Sequence, residues 1–272
     1  MDELLVGVPI ADIFPWGVAI ALNTFLAAVA WVAPKKLLTP AGLLHAWFLG
    51  VLIWGTLGWQ GYIIIMVYFL AGSTVTRLGM KKKEAAGIAE KRSGARGPEN
   101  VWGSALVGSL CAIGIFVLSI QSSSAIAPSV TNDWTAALWL GYVASLSTKL
   151  SDTSASEVGK AYGRHTFLIT TLKPVPPGTE GAVSLEGTLA GVVASVAIAL
   201  VGWLVGVITL PGIVICIIAA FVATNLESVI GATLQDKIDW LTNEIVNIIN
   251  TLIGAGVAIG LLLLWRSLQN LG

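Results

Sequence analysis

Long apolar runs separated by short polar segments dominate the sequence. The runs occupy residues 13–33, 42–57, 61–76, 101–120, 134–150, 183–208, 212–226 and 246–266. A membrane-spanning helix needs roughly 20 apolar residues, and several of these runs are shorter. The pattern predicts an all-α, polytopic membrane protein with about eight transmembrane helices in a single domain, 1–272. The short runs leave a re-entrant path open for 42–76 and 212–245.

The composition supports this class of protein. Apolar residue types make up 56% of the 272 residues, charged types make up 11%, and the mean hydropathy is +0.84. A soluble globular domain usually has about 25% charged residues, so a soluble enzyme, a coiled coil and a disordered chain are excluded. The 15 basic residues balance the 15 acidic ones, whereas nucleic-acid-binding proteins normally carry a basic surplus. We therefore expect the lipid bilayer as a partner and no nucleic acid.

The basic residues lie in a few clusters between the apolar runs. These are Lys35 with Lys36, a group at 77–96, a group at 149–173, Lys237 and finally Arg266. Each of the three long intervals between clusters has room for two helices and a polar or glycine-rich break near its middle. Two helices return the chain to the side from which it started, so every basic residue except Arg266 is predicted on one face. The positive-inside rule makes that face cytoplasmic.

The end of the fifth apolar run combines charged, hydroxyl and small residues in the segment DTSASEVGKAYGR, residues 152–164. If this segment is helical, one face carries Asp152, Ser156, Gly159, Lys160 and Gly163. Carboxylate oxygens hold magnesium and Lys or Arg holds phosphate oxygens, so the stripe suits a metal-bridged phosphate. The alternative is a solvated helix end, in which Asp152 is an N-cap and the cations only set the topology.

A stiff loop separates this segment from the sixth apolar run. Three prolines and two glycines occur within 173–181, a composition that predicts turns rather than a helix. Ser184 or Gly181 can cap the helix that follows, with Glu186 in its first turn complementing the helix dipole. Alternatively, the loop and the helix N-terminus bind phosphate while Glu186 helps to hold a cation.

Amide residues form a stripe at the start of the last apolar run. Asn243, Asn247, Asn250 and Gly254 follow helical spacing. Because unpaired amides are costly in hydrocarbon, this stripe must face other helices. It either joins helices by hydrogen bonds or forms a polar wall of a ligand cavity.

The most basic segment lies between residues 77 and 99, with seven basic and three acidic residues. One interpretation is that it sets the topology and contacts anionic lipid. The other is that some of its cations reach a polyanionic soluble ligand such as a nucleoside triphosphate. The chain has no G-x-x-x-x-G-K-[ST] motif, so any kinase chemistry here is not P-loop chemistry.

Motifs along nearly the whole chain resemble one membrane-protein family. They are TRLGMK at 76–81, GIAEK at 87–91, the segment at 152–164 already quoted, KPVPPGTEGAVSLEGT at 173–188, NLESVIGATLQ at 225–235 and TNEIVNIINT at 242–251. Together they resemble the family that contains phytyl phosphate kinase of tocopherol and phylloquinone biosynthesis. More distantly, the central motifs are similar to dolichol and phytol kinases and to CDP-diacylglycerol synthases.

The resemblance implies transfer of a phosphoryl group from CTP to phytyl monophosphate, giving phytyl diphosphate and CDP, with Mg²⁺ as cofactor. It also implies a cyanobacterial-type inner or thylakoid membrane and an active site that faces the cytoplasm. The isoprenoid chain length, the nucleotide base and the oligomeric state stay open.

The motifs and the resemblance together give a candidate site. The predicted magnesium ligands are Asp152, Glu186 and Glu227, with Glu157, Asp236 and Glu244 in reserve. The predicted phosphate clamps are Lys160, Arg164 and Lys173, which form the catalytic set with Asp152 and Glu157. Nucleotide and phosphate contacts are predicted at Lys81, Lys91, Arg96, Thr153, Ser156, Gly159, Gly163, Ser184, Gly187, Asn225, Ser228, Asn243 and Asn247.

Two other function classes fit the same residues. One is a transporter of a lipid or a phosphorylated solute, for which polar stripes in the membrane are also typical. The other is a nucleotidyl transferase that makes a CDP-lipid at the same site. Release of CDP indicates a kinase, release of pyrophosphate a nucleotidyl transferase, and uptake without chemical conversion a transporter.

Overall fold

The computed structural model describes residues 10–34, 36–122 and 128–269, except for the side chains of 10–14, 91, 122, 128–132 and 236. Its helices are α1 Ile10–Val32, α2 Pro40–Arg77, α3 Met80–Ala85, α4 Pro98–Ser122, α5 Pro128–Tyr162, α6 Leu185–Leu204, α7 Leu210–Thr233 and α8 Asn243–Gln269. Two short strands, β1 Phe167–Leu168 and β2 Ala182–Val183, pair in antiparallel fashion in the loop between α5 and α6. Short 3₁₀ turns occupy Lys91–Gly94 and Gln235–Lys237.

The second helix folds back on itself at Gly58. This residue has φ 65° and ψ −160°, a backbone conformation that favours glycine. The guanidinium of Arg77 donates a 2.6 Å hydrogen bond to the carbonyl of Lys36, so the two ends of α2 lie together. A straight helix of 38 residues would instead separate its ends by about 57 Å. α2 therefore consists of two antiparallel arms, 40–57 and 59–77, as the break in the apolar pattern predicts.

Six helices in the described part of the chain are long and apolar enough to cross a membrane, namely α1, α2, α4, α6, α7 and α8. α2 counts once in this set although it has two arms. α5 is also long, with 35 residues, but its C-terminal half is polar. The prediction of an all-α, polytopic membrane protein is confirmed, whereas the number of eight crossings stays a prediction.

Two helices continue beyond the predicted apolar runs. α5 extends to Tyr162 instead of ending near 150, and α7 extends to Thr233 instead of ending near 226. Polar residues ended the predicted runs, but a helix inside a bundle continues through them because its backbone hydrogen bonds are internal. Asp152 therefore lies within α5, and the alternative in which it is an N-cap is wrong.

α5 is the central helix of the bundle. It contacts α2, α4, α6, α7 and α8, and residues 140–152 are buried without interruption. The hydroxyl of the fully buried Tyr142 donates a 2.7 Å hydrogen bond to the carbonyl of Gly61 in α2. A Cβ atom at Gly191 of α6 would lie 2.9 Å from the hydroxyl oxygen of Ser151. Such small residues allow the close helix packing that is typical of membrane proteins.

The charged groups of the bundle are separated along its axis. Arg266, near the end of α8, forms a 2.6 Å ion pair with Asp133, near the start of α5. Asp152, which forms an ion pair with Lys149, lies about 28 Å farther along α5. Arg266 is therefore apart from the other contacts of basic residues, as the charge pattern predicts. Which compartment each end faces stays a prediction.

Candidate functional site

A polar cavity of about 740 Å³ lies at the end of the bundle where α5 and α7 finish and α6 and α8 begin. Its charged and amide wall residues are Glu90, Arg92, Arg96, Glu99, Asn100, Lys149, Asp152, Glu157, Lys160, Glu180, Asn225, Glu227, Asn243, Glu244 and Asn247. The volume is within the usual range of ligand pockets, about 300–1,000 Å³. Ionisable residues are costly within a membrane protein, so we take this cavity as the candidate functional site.

A lysine and two acidic residues form one buried charged cluster of this wall. The ammonium of Lys149 donates hydrogen bonds to Asp152 Oδ2 at 2.6 Å and to Asn247 Oδ1 at 2.7 Å. The carboxyl group of Glu227, on α7, lines the same cavity and interacts electrostatically with Asp152 and Lys149. α5 therefore brings two polar groups to this part of the wall, whereas α7 and α8 bring one each. Two carboxyl groups this close repel each other when ionised, unless a cation lies beside them.

Asp152 and Glu227 alone suit a magnesium ion better than the predicted set of three ligands, which also included Glu186. No group of three or more His, Cys, Asp or Glu side chains close enough to hold a metal occurs in the described part of the chain. Mg²⁺ in phosphoryl-transfer sites is usually bound by one or two carboxylates together with substrate phosphates and water. Asp152 and Glu227 meet that requirement. Glu186 is absent from the cavity wall, although its neighbours Ser184 and Gly187 line it.

A second ion-pair cluster joins the basic loop to α5. Lys83 is fully buried, and its ammonium donates hydrogen bonds to the Glu157 carboxylate and to the carbonyl of Thr76, the latter at 2.7 Å. Lys160 Nζ lies 3.6 Å from Glu157 Oε1 and 3.7 Å from Glu90 Oε1. Glu157 is thus neutralised by two lysines of the chain itself. This arrangement suits a carboxylate that positions Lys160 at the cavity wall better than it suits a metal ligand.

Arg96 also lines the cavity, from the loop that precedes α4. Its backbone N–H donates to the carbonyl of Leu37, and its carbonyl accepts from the N–H of Thr39, which fixes the loop before α4. Its guanidinium donates a 2.9 Å hydrogen bond to the Tyr68 hydroxyl and lies near the rings of Tyr68 and Phe69. A guanidinium held in this way is preorganised to bind phosphate oxygens with its remaining N–H groups.

The start of α6 packs closely on α5 at the cavity wall. Ser184 is the N-cap, and its hydroxyl accepts a 3.1 Å hydrogen bond from the N–H of Gly187, as predicted. A Cβ at Gly187 would lie 2.5 Å from the carbonyl oxygen of Ala155. A Cβ at Gly159 or at Gly163 would lie within 3.3 Å of the Ser184 hydroxyl oxygen. These glycines are therefore required for helix contact, whatever binds in the cavity.

The asparagine stripe of α8 serves both of the purposes that its sequence left open, because Asn247 joins α8 to α5 by accepting the 2.7 Å hydrogen bond from Lys149 and also lines the cavity. Asn243 and Asn247 line the cavity. Asn250, one turn farther on, is fully buried between helices, and within the described residues its amide atoms have no hydrogen-bond partner. Gly254 packs against the side chain of Thr148 on α5.

The structure brings most of the predicted site residues to one cavity. Those at its wall are Arg96, Asp152, Thr153, Ser156, Glu157, Gly159, Lys160, Ser184, Gly187, Asn225, Glu227, Ser228, Asn243, Glu244 and Asn247. Those described but not at its wall are Lys81, Gly163, Arg164, Lys173 and Glu186. Lys81, Arg164 and Lys173 are exposed because they lie on the short helix α3 and on the loop after α5. The side chains of Lys91 and Asp236 lie outside the described residues.

Sequence reasoning missed the two buried lysines Lys149 and Lys83, and also the wall residues Glu90, Arg92, Glu99, Asn100 and Glu180. Lys149 precedes Asp152 by one helical turn inside an otherwise apolar and hydroxyl-rich helix, and this spacing is a usable signal for a buried ion pair. Lys83 stands in a run of three lysines, and its partner Glu157 is far away in the sequence. The sequence offered no signal that separates Lys83 from its neighbours.

Comparison with known proteins places the chain among integral membrane proteins. An uncharacterized membrane protein of Synechocystis is 64% identical over 248 residues, which cover 91% of this chain and 92% of that protein. The chloroplastic protein VTE6 of Arabidopsis thaliana is 44% identical over 246 residues, 90% of this chain and 71% of that protein. An uncharacterized membrane protein of Methanocaldococcus jannaschii is 32% identical, over 84% of this chain and 87% of that protein. No solved structure matches the chain.

The family model described as integral membrane protein DUF92 matches residues 23–255. This range contains α2 to α7, the last ten residues of α1, the first half of α8 and every wall residue of the polar cavity. The protein is thus a member of the DUF92 family of integral membrane proteins.

Proposed function

We propose that the protein transfers the terminal phosphoryl group of a nucleoside triphosphate, with CTP expected, to phytyl monophosphate. The products are phytyl diphosphate and CDP, for tocopherol or phylloquinone synthesis. The observation that carries this proposal is the Asp152–Glu227 carboxyl pair beside the Lys149 ammonium, in a cavity whose other walls hold Lys160 and Arg96.

The relatives and the motifs support the choice of substrate. The chain shares 44% of its residues with chloroplastic VTE6 over most of its length, and its motifs resemble the family that contains phytyl phosphate kinase. This likeness supports a role in the phytyl phosphate part of tocopherol synthesis.

The chemistry of the step fits the groups in the cavity. An oxygen of the phytyl monophosphate bonds to the terminal phosphorus of CTP, and the bond from that phosphorus to the bridging oxygen breaks, so its electron pair leaves with CDP. The acceptor is already an anion, so no general base is required. Such transfers depend mainly on positioning and on stabilisation of charge. Lys149, Lys160 and Arg96 supply positive charge at the cavity wall.

Asp152 and Glu227 would hold magnesium, which would supply positive charge to neutralise the nucleotide phosphates. In this proposal, Lys149 keeps the Asp152 carboxylate oriented, and Asn247 keeps Lys149 in place. The basic residues at this end of the bundle favour a cytoplasmic orientation of the cavity, from which a nucleotide reaches it.

The test is turnover by the purified protein in lipid nanodiscs, with phytyl phosphate and each of the four nucleoside triphosphates, followed by mass spectrometry of all products. The proposal expects phytyl diphosphate and a nucleoside diphosphate, with CTP as the best donor. CDP-phytyl and pyrophosphate would instead identify a nucleotidyl transferase. Absence of any conversion with all four nucleotides would contradict the proposal.

A further inference from the structure

A second cavity, of about 430 Å³, lies between α1, both arms of α2 and the start of α4. Its wall is mainly apolar and includes Leu26 of α1, Leu43 and Ile65 of the two arms of α2, and Val101 of α4. Aromatic rings of the second arm, including Phe69, complete it. The composition of this wall suits a hydrocarbon ligand and not a nucleotide.

The apolar cavity adjoins the polar one. Arg96, Asn100 and Ser104 belong to the walls of both cavities. The Arg96 guanidinium lies 5.4 Å from the ring of Tyr68, a residue of the apolar wall, while the same arginine also faces the polar cavity. A cation therefore stands at the junction between a polar and an apolar compartment.

The wall of the apolar cavity runs from a buried polar contact to the bundle surface. Its wall follows α1 from Asn23 to Ala33, a rise of about 15 Å, or about half of a typical hydrocarbon core. At the inner end, the buried Asn23 accepts a 2.9 Å hydrogen bond from the Tyr62 hydroxyl. Toward the junction, the wall residues Val29 and Trp31 are 48% and 61% exposed. A lipid chain can therefore enter sideways from the bilayer.

We propose that the apolar cavity binds the isoprenoid chain of the acceptor lipid, with the phosphate at the Arg96 junction and the chain between α1 and α2. This inference rests on the proposed function, and it adds the location and direction of the acceptor. The nucleotide then occupies the far side of the polar cavity, near Asp152 and Glu227, so that the two phosphate groups meet between these residues and Arg96.

The physical role of the cavity is positioning. A chain already dissolved in the bilayer gains little from transfer to another apolar environment, because lipid tails are as apolar as leucine. The benefit is that the phosphate is held in a fixed place beside the nucleotide, which lowers the entropic part of the barrier. Blocking the cavity should therefore reduce turnover of long-chain acceptors and spare short ones.

Ala27→Phe tests this directly, because Ala27 is at the cavity wall and is only partly exposed. Ala28→Phe is the matched control, since Ala28 is the next residue of α1, is exposed and is not at the wall. We expect Ala27→Phe to lower kcat/KM for phytyl phosphate by at least about tenfold and to leave the value for dimethylallyl phosphate within about twofold of wild type. The control should leave both values unchanged. Equal loss for both acceptors, or no loss for phytyl phosphate, would overturn the inference.

A binding measurement on the unaltered protein separates this inference from the proposed reaction. A prenyl monophosphate with a photoreactive diazirine at the end of its chain is cross-linked in nanodiscs, and the labelled peptides are identified by mass spectrometry. We expect labels on α1 and α2 around Asn23 and Tyr62. Labels on α6 or α7 would place the chain elsewhere and refute the inference, even if the enzyme is active. Labels at the expected place in a protein that turns over no nucleotide would refute only the proposed reaction.

Discussion

Replacing Asp152 by asparagine removes one negative charge from the polar cavity and changes little else. The Asp152 carboxylate accepts a 2.6 Å hydrogen bond from Lys149, and an amide oxygen of the same size can accept it too. Lys149 also keeps its 2.7 Å bond to Asn247. A hydrogen bond to a charged group contributes about 1.5–3 kcal/mol, and relief of the repulsion from Glu227 offsets part of that loss. We therefore expect normal expression and a melting temperature within a few degrees of wild type.

The effect on turnover should be far larger. If Asp152 holds the metal that neutralises the transferring phosphoryl group, loss of its charge removes an electrostatic contact of about 3 kcal/mol in the transition state. That energy corresponds to a decrease in kcat of at least about 100-fold. An Asp152 that only anchors Lys149 would leave turnover nearly normal, because the amide oxygen still accepts the Lys149 hydrogen bond.

The assay is steady-state formation of phytyl diphosphate in nanodiscs, together with the thermal unfolding curve of each variant. Asp133→Asn is the matched control, because Asp133 is on the same helix, carries the same charge and pairs with Arg266 at the other end of the bundle. The control should keep full activity. An Asp152→Asn variant within a few-fold of wild-type turnover would refute the active-site assignment.

Three further substitutions and one labelling experiment test the rest of the site and the fold. Glu227→Gln should lower turnover by at least about tenfold and raise the Mg²⁺ concentration for half-maximal activity, so an unchanged Mg²⁺ dependence would contradict a metal role. Gly187→Ala should destabilise the protein by about 1–3 kcal/mol, since its Cβ would lie 2.5 Å from a carbonyl oxygen of α5. A Cβ added at Gly256 would have no atom within 4 Å, so Gly256→Ala should leave the melting temperature unchanged or higher. Equal effects of the two glycine substitutions would refute the packing argument. Single cysteines replacing Ala86 and Trp134, in a background without the native cysteines, should react with impermeant reagents from opposite sides of the membrane, and labelling from one side would refute the topology.

Local signals predicted the fold well where a single residue determines the backbone. Gly58, in the break between two apolar runs, adopts a positive φ at the fold-back of α2. Ser184 caps α6 through the N–H of Gly187. Both features depend on neighbours within a few residues, so the sequence contains all the required information.

The ends of α5 and α7 were harder to predict, because polar residues at 150–162 and 226–233 look like the end of a membrane span. In the structure these residues continue the helix and face a cavity inside the bundle. Hydropathy alone does not distinguish a polar residue that faces water from one that faces an internal cavity.

The candidate site could be predicted only in part, for a related reason. The face that carries Asp152 and Lys160 follows from helical spacing. The burial of Lys83 against Glu157, and the meeting of Lys149 with Asn247, join residues distant in sequence and depend on how whole helices pack. Arg96 was predicted only as a nucleotide or phosphate contact. Its place at the junction of the two cavities also depends on how whole helices pack.

The most direct test of the central claim follows the transferred phosphorus. Wild-type protein in nanodiscs is given phytyl phosphate and CTP labelled with ¹⁸O on its terminal phosphate, and the products are resolved by mass spectrometry. We predict that the label appears in phytyl diphosphate and that the CDP released is unlabelled. Label in pyrophosphate, or label that stays on intact CTP while phytyl phosphate persists, would contradict phosphoryl transfer at this site.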